Sequence, residues 1–106
     1  MIDIDLMAAQ LGFEPDEAAM LVEMFLESAQ STLSQLQSAI EREDYEAIRS
    51  HAHSIKGSAA NLTLEAIYLH ARNIEESARA EAAIDYAAEA RKLADMIAEI
   101  TIPEVL

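Results

Sequence analysis

Between Pro15 and Arg42 the chain sets Leu21, Val22, Phe25, Leu26, Ala29, Leu33, Leu36 and Ile40 at helical spacing, with no glycine anywhere in the stretch. Residues three and four apart share one face of a helix, so these positions form a single apolar stripe. A stripe this long must be buried against other helices, because one helix alone has nothing to cover it with. The rest of the chain supplies candidates of the same kind. Only two glycines and two prolines occur among 106 residues. No run rich in β-branched and aromatic residues suggests a strand. An all-α fold follows.

A short leading helix is predicted from Ile4 to Leu11, closed by Gly12. The long helix follows, with Pro15 in its first turn and Asp16 and Glu17 at the positive end of its dipole. A third runs from Asp44, a good N-cap, to Leu62, with a seam of Tyr45, Ile48, Ala52, Ile55, Ala59 and Leu62. A fourth runs from Leu64 to Arg79, capped by Thr63, with Leu64, Ile67, Ala71, Ile74 and Ala78 inward. The last spans Ala83 to Ile100, carries Tyr86, Ala90, Leu93, Ile97 and Ile100, and is stopped by Pro103. Short connections make neighbours antiparallel. The expected architecture is an antiparallel up-down-up-down four-helix bundle with a short N-terminal helix. Residues 1–106 form one domain, with the leading helix in 1–12 and the bundle in 15–102.

Charge and composition exclude several functions. Twenty acidic residues against seven Lys and Arg give a net charge of -13, which repels nucleic acid and anionic lipid. Cysteine is absent, which removes disulfides and thiolate metal sites. The acidic start, Met1-Ile2-Asp3-Ile4-Asp5, lacks the pattern of a signal peptide, and no apolar run is long enough to span a bilayer. A cytoplasmic, monomeric protein is expected, and Met1 with the compact length leans towards a free-standing one. A metal-dependent bundle enzyme is opposed by the ligand pattern: Glu-x-x-His is absent, so no metal site is expected.

His53 is the candidate reactive residue. At roughly 100° per residue it lies roughly 130° from the seam of its helix, on the solvent side. Lys56 follows three residues later and Gly57 four, the spacings that bring side chains together. Arg49 shares the face one turn earlier. Glycine inside a helix costs about 1 kcal/mol against alanine, so Gly57 points to clearance for an approaching group. From Ala47 to Thr63 there is no carboxylate, a window kept free of negative charge in an acidic chain. A neutral imidazole is a nucleophile and an ammonium holds an anion, so the set suggests a histidine that carries a phosphoryl group. His51 flanks the core and His70 lies at the edge of its seam; both read as structural. Leu69 points outward. Met20 and Met24 fall opposite the long helix's stripe. Cover by Leu6, Met7 and Leu11 of the leading helix is the favoured reading, and an adaptable docking patch is the other.

The run His53-Ser54-Ile55-Lys56-Gly57-Ser58-Ala59-Ala60-Asn61-Leu62 resembles the signature of histidine-containing phosphotransfer (HPt) domains, and the helical layout matches that family across essentially the whole chain. The family's usual glycine after the leucine is Thr63 here, so a different corner is expected. The resemblance implies that His53 accepts a phosphoryl group from an aspartyl phosphate and passes it to another receiver. It implies that Lys56 pairs with the phosphoryl oxygens, that Gly57 gives access, and that Glu75 on the next helix orients the ring; an ordinary surface carboxylate is the other reading of Glu75. Arg49, Ala60, Met20 and Met24 are the expected partner contacts. The implied partners are receiver domains of response regulators or hybrid histidine kinases. The chain has no glycine-rich nucleotide loop, so no intrinsic cofactor and no ATP-dependent kinase activity are expected; the receiver would supply Mg²⁺. A receiver-docking adaptor that transfers nothing is the alternative.

Overall fold

A computed structural model describes residues 3–100. Five helices make up the described chain: α1 (Ile4–Leu11), α2 (Pro15–Glu41), α3 (Tyr45–Asn61), α4 (Glu65–Arg79) and α5 (Tyr86–Ala98). α2 packs on α3, α3 on α4, α4 on α5, and α5 back on α2, closing a four-helix bundle. The rings of Tyr45 and Tyr86 meet edge-on with centroids 5.8 Å apart, so the N-termini of α3 and α5 lie at one end. That is the arrangement of an up-down-up-down bundle. α2 has 27 residues, about 40 Å of helix. It outruns α3 and α5, and α1 packs on it through Ile4, Met7 and Ala8. No helix among the described residues is long and apolar enough to cross a membrane.

The predicted seams are buried with small shifts. Val22, Phe25, Ala29, Leu33 and Leu36 of α2 enter the core, while Ile40 is half-buried and Ala39 takes the inner position. Alanines alternate with isoleucines on the inner faces of α3 and α4: Ala52, Ala59, Ala71 and Ala78 are all essentially inaccessible. Their size lets the two helix axes come close. This close approach positions the candidate site, which draws side chains from both helices.

Three helix starts use aspartate: Asp3, Asp44 and Asp85 accept hydrogen bonds from the backbone N–H groups of Leu6, Ala47 and Ala88. Glu14 and Glu17 form a reciprocal capping box ahead of α2. The Asp85 cap moves the start of α5 from the expected Ala83 to Tyr86, and the helix ends at Ala98, before Ile100. Pro103, the expected stop, lies outside the described residues.

The α3–α4 corner differs from expectation. Thr63 does not cap α4; Leu64 is the N-cap residue, without a side-chain bond. Thr63 instead adopts φ +58°, the left-handed conformation that a β-branched residue disfavours. It does so because the corner is a Schellman turn, in which Leu64 N–H reaches Ala59 O at 2.9 Å and Thr63 N–H reaches Ala60 O at 3.2 Å. The Thr63 hydroxyl donates to Leu62 O at 2.6 Å. The corner therefore turns through a strained residue at its pivot. Thr63→Gly is expected to raise unfolding stability by about 0.5–1 kcal/mol, because relief of strain exceeds the extra entropy of an unfolded glycine. Chemical denaturation checks this, and a lower midpoint would contradict the strain.

Candidate functional site

α3 carries His53 near its middle, and the imidazole is 62% exposed on the outer face of the bundle. One ring corner is held from below. Glu75, on α4, is only 2% exposed, and its Oε2 lies 2.5 Å from His53 Nδ1. Its other oxygen, Oε1, accepts a hydrogen bond from Lys56 Nζ at 2.7 Å. Arg79, one turn further along α4, brings Nη2 to 4.0 Å from Oε2. A carboxylate this deeply buried is tolerated only when paired, and here both oxygens are engaged.

Burial pushes the Glu75 carboxyl upward; hydrogen bonds from Lys56 and His53, together with their charges, outweigh it and leave the group below its ordinary 4.5. An ionised carboxylate only accepts hydrogen bonds, so Nδ1 carries the ring proton. In the neutral ring this fixes the Nδ1–H tautomer and puts the Nε2 lone pair on the exposed side.

Glu75 therefore adds stability that is complete above the ordinary carboxylate value. That stability is lost as pH falls from 4.5 through the depressed folded-state value. Glu75→Gln is expected to cost about 1–3 kcal/mol at neutral pH. The gap between variant and parent should close in the acid range, because the parent then loses its charge as well. Denaturant titrations of both proteins over pH test the sign. A gap that widens in acid would contradict it.

The other sequence candidates are distributed around this centre. Gly57 is exposed, and a Cβ built there would have nothing within 4 Å. Neither packing nor backbone conformation requires glycine at this position. Arg49 is half-buried and borders a cleft of about 250 Å³ with Tyr45, Glu46, Ala78, Arg79 and Glu81. Ala60 is exposed further along α3. Met20 and Met24 are 62% and 59% exposed, which overturns the favoured expectation that α1 covers them. Each lies two residues from a buried position, Ala18 or Val22, hence roughly 200° around α2 from its buried face. Leu6 is itself exposed. Met20, Met24, Ser28 and Thr32 follow one another at four-residue steps, and Ser28 and Thr32 border the α2–α3 groove with Ser54 and Ser58. The methionines thus continue a ridge that reaches the α3 residues next to His53 and Gly57.

His70 ties α4 to α5, with Nε2 3.0 Å from Glu89 O and 3.2 Å from its carboxylate, a structural role as expected. His51 is half-buried, and Leu69 is exposed. Among the described residues no cluster of three or more His, Cys, Asp or Glu side chains is arranged to hold a metal ion. A cavity of about 390 Å³ lies between α1, the start of α4 and the end of α5, and His53 is not in its walls. Arg79 was not singled out from sequence. Its signal is the four-residue step from Glu75, matched by the seven-residue steps Arg49–Lys56 and Arg72–Arg79 that place cations along one face of the α3–α4 pair.

Comparison with known proteins agrees with this geometry. The family model described as "Hpt domain" matches residues 20–101. Among solved structures, the chain is similar to histidine-containing phosphotransfer protein B (HptB) from Pseudomonas aeruginosa PAO1, with a TM-score of 0.80 and 26% identity over 92% of this chain and 84% of that one. No curated protein matches. With a surface histidine held by a buried carboxylate on this bundle, and the family model covering most of its length, the chain belongs to the Hpt domain family, whose role is histidine phosphotransfer alongside response-regulator receiver domains.

Proposed function

We propose that His53 Nε2 is the phosphoacceptor of a phosphorelay and shuttles a phosphoryl group between the aspartates of two receiver domains. The observation that carries this reading is the His53–Glu75 hydrogen bond, which holds the Nδ1–H tautomer, so that Nε2 of the neutral ring is the free nitrogen on an exposed, outward-facing imidazole. Nε2 donates its electron pair to phosphorus, the acyl oxygen–phosphorus bond breaks, and the donor aspartate leaves as a carboxylate. The ring gains positive charge as the bond forms, and Glu75 beside Nδ1–H stabilises it. Lys56 supplies a charge-assisted hydrogen bond to the phosphoryl oxygens. Gly57 admits the receiver, and Arg49, Ala60, Met20 and Met24 contact it. The rate derives mainly from positioning and charge stabilisation. Mg²⁺ belongs to the receiver, where it neutralises phosphoryl charge, and the protein does not phosphorylate itself from ATP.

The test is transfer from a phosphorylated receiver, with the product mapped by mass spectrometry. Acid-labile, alkali-stable phosphate on His53 is the expected result. Phosphate on another residue overturns the assignment, and binding without transfer makes the protein a docking adaptor.

A further inference from the structure

Lys56 is needed in two places. It is bonded to Glu75 Oε1 and is only 21% exposed, whereas Nε2 lies at the far, solvent-facing corner of the ring. To serve a phosphoryl group there, the ammonium must turn outward and loosen its hold on Glu75. A buried carboxylate that loses its cation is strongly penalised, and the penalty would fall on the transfer step itself. Arg79 stands ready at the other oxygen. It lies one helical turn from Glu75, its side chain is 62% exposed, and its 4.0 Å separation is short of a hydrogen bond. Both residues lie on one face of α4, the spacing at which an arginine and a carboxylate pair.

Resting on the phosphotransfer reading above, we infer that Arg79 is a positioning residue that takes over the charge of Glu75 when Lys56 turns to the phosphoryl group. The guanidinium touches neither phosphorus nor Nε2. It keeps Glu75 ionised and the His53 ring in register while the ammonium changes partner. Two cations thus share one buried carboxylate in sequence, and the reaction is not slowed by uncovering it.

The experiment is single-turnover transfer from a phosphorylated receiver at saturating concentration, comparing Arg79→Gln, Arg79→Lys, Lys56→Ala and the double variant Lys56→Ala/Arg79→Gln. Arg79→Gln is expected to slow phosphorylation of His53 by about threefold to fivefold, the scale of an exposed ion pair. Arg79→Lys restores most of the rate. In the Lys56→Ala background Arg79 is the remaining Lys or Arg beside Glu75, so Arg79→Gln leaves the buried carboxylate uncovered and should slow transfer more steeply than it does in the parent background. If Arg79 acts only by attracting the receiver or the phosphoryl group, its loss will slow transfer equally in both backgrounds, and the inference is overturned. An unchanged rate for Arg79→Gln alone overturns it too. Failure of the parent protein to accept phosphate would instead remove the phosphotransfer reading.

Discussion

His53→Gln is expected to eliminate phosphoryl acceptance while leaving the helical circular dichroism and thermal midpoint close to those of the parent. Glutamine lacks the nucleophilic nitrogen, so the loss in transfer should be complete to the limit of detection. The imidazole is mostly exposed and its one hydrogen-bond partner among the described residues is Glu75, so few packing contacts disappear. Glu75 keeps Lys56, and the glutamine amide can donate to Oε2 in place of Nδ1–H. Phosphate incorporation from a phosphorylated receiver, read beside a thermal melt, separates the two effects. Retained phosphorylation would place the acceptor elsewhere in the chain. A collapsed melt would show that the ring matters to the bundle as well.

Gly57 gives the second large effect, with opposite signs on fold and function. Gly57→Ala is expected to stabilise the isolated protein by about 1 kcal/mol, because the position is helical and the added methyl meets open space. Gly57→Gln keeps part of that gain and projects a side chain from the face that carries His53. If a receiver must approach closely there, transfer to the glutamine variant should fall by tenfold or more, about 1.4 kcal/mol or above at the transition state. Melting curves and single-turnover transfer on the same samples decide it. Full transfer with glutamine at position 57 would mean that the partner docks clear of this glycine and that its presence has another cause.

Much of this protein could be read locally. Apolar residues recurring at three and four residues name a helix and its inner face, and that periodicity placed all five helices. The largest error was three residues, at the start of α5, where Asp85 rather than Ala83 marks the cap. His53, Lys56 and Gly57 share one helix, so their mutual placement follows from helical geometry alone. Thr63 could not be read so simply. Threonine is a reasonable N-cap and a poor left-handed residue, but closing the α3–α4 corner requires the left-handed conformation whatever residue is there. Glu43 and Glu81 meet the same demand at φ 53° and 51°. Met20 and Met24 went astray for a related reason: a wheel shows which way a side chain points, but not where a separate helix settles.

The sequence by itself determined the helices, their buried stripes and the identity of an exposed histidine with a lysine and a glycine beside it. These depend on spacings of three and four within a single element, and such spacings survive any arrangement of the elements. Only the tertiary structure decided that Glu75 is a buried anchor rather than a surface carboxylate. It alone set His53 and Lys56 on that anchor. Those contacts cross from α3 to α4, and their register depends on how closely two alanine-lined helices approach and how the corner at Thr63 turns. No count of residues along one chain specifies that distance, because it is set by the packing of two surfaces against each other.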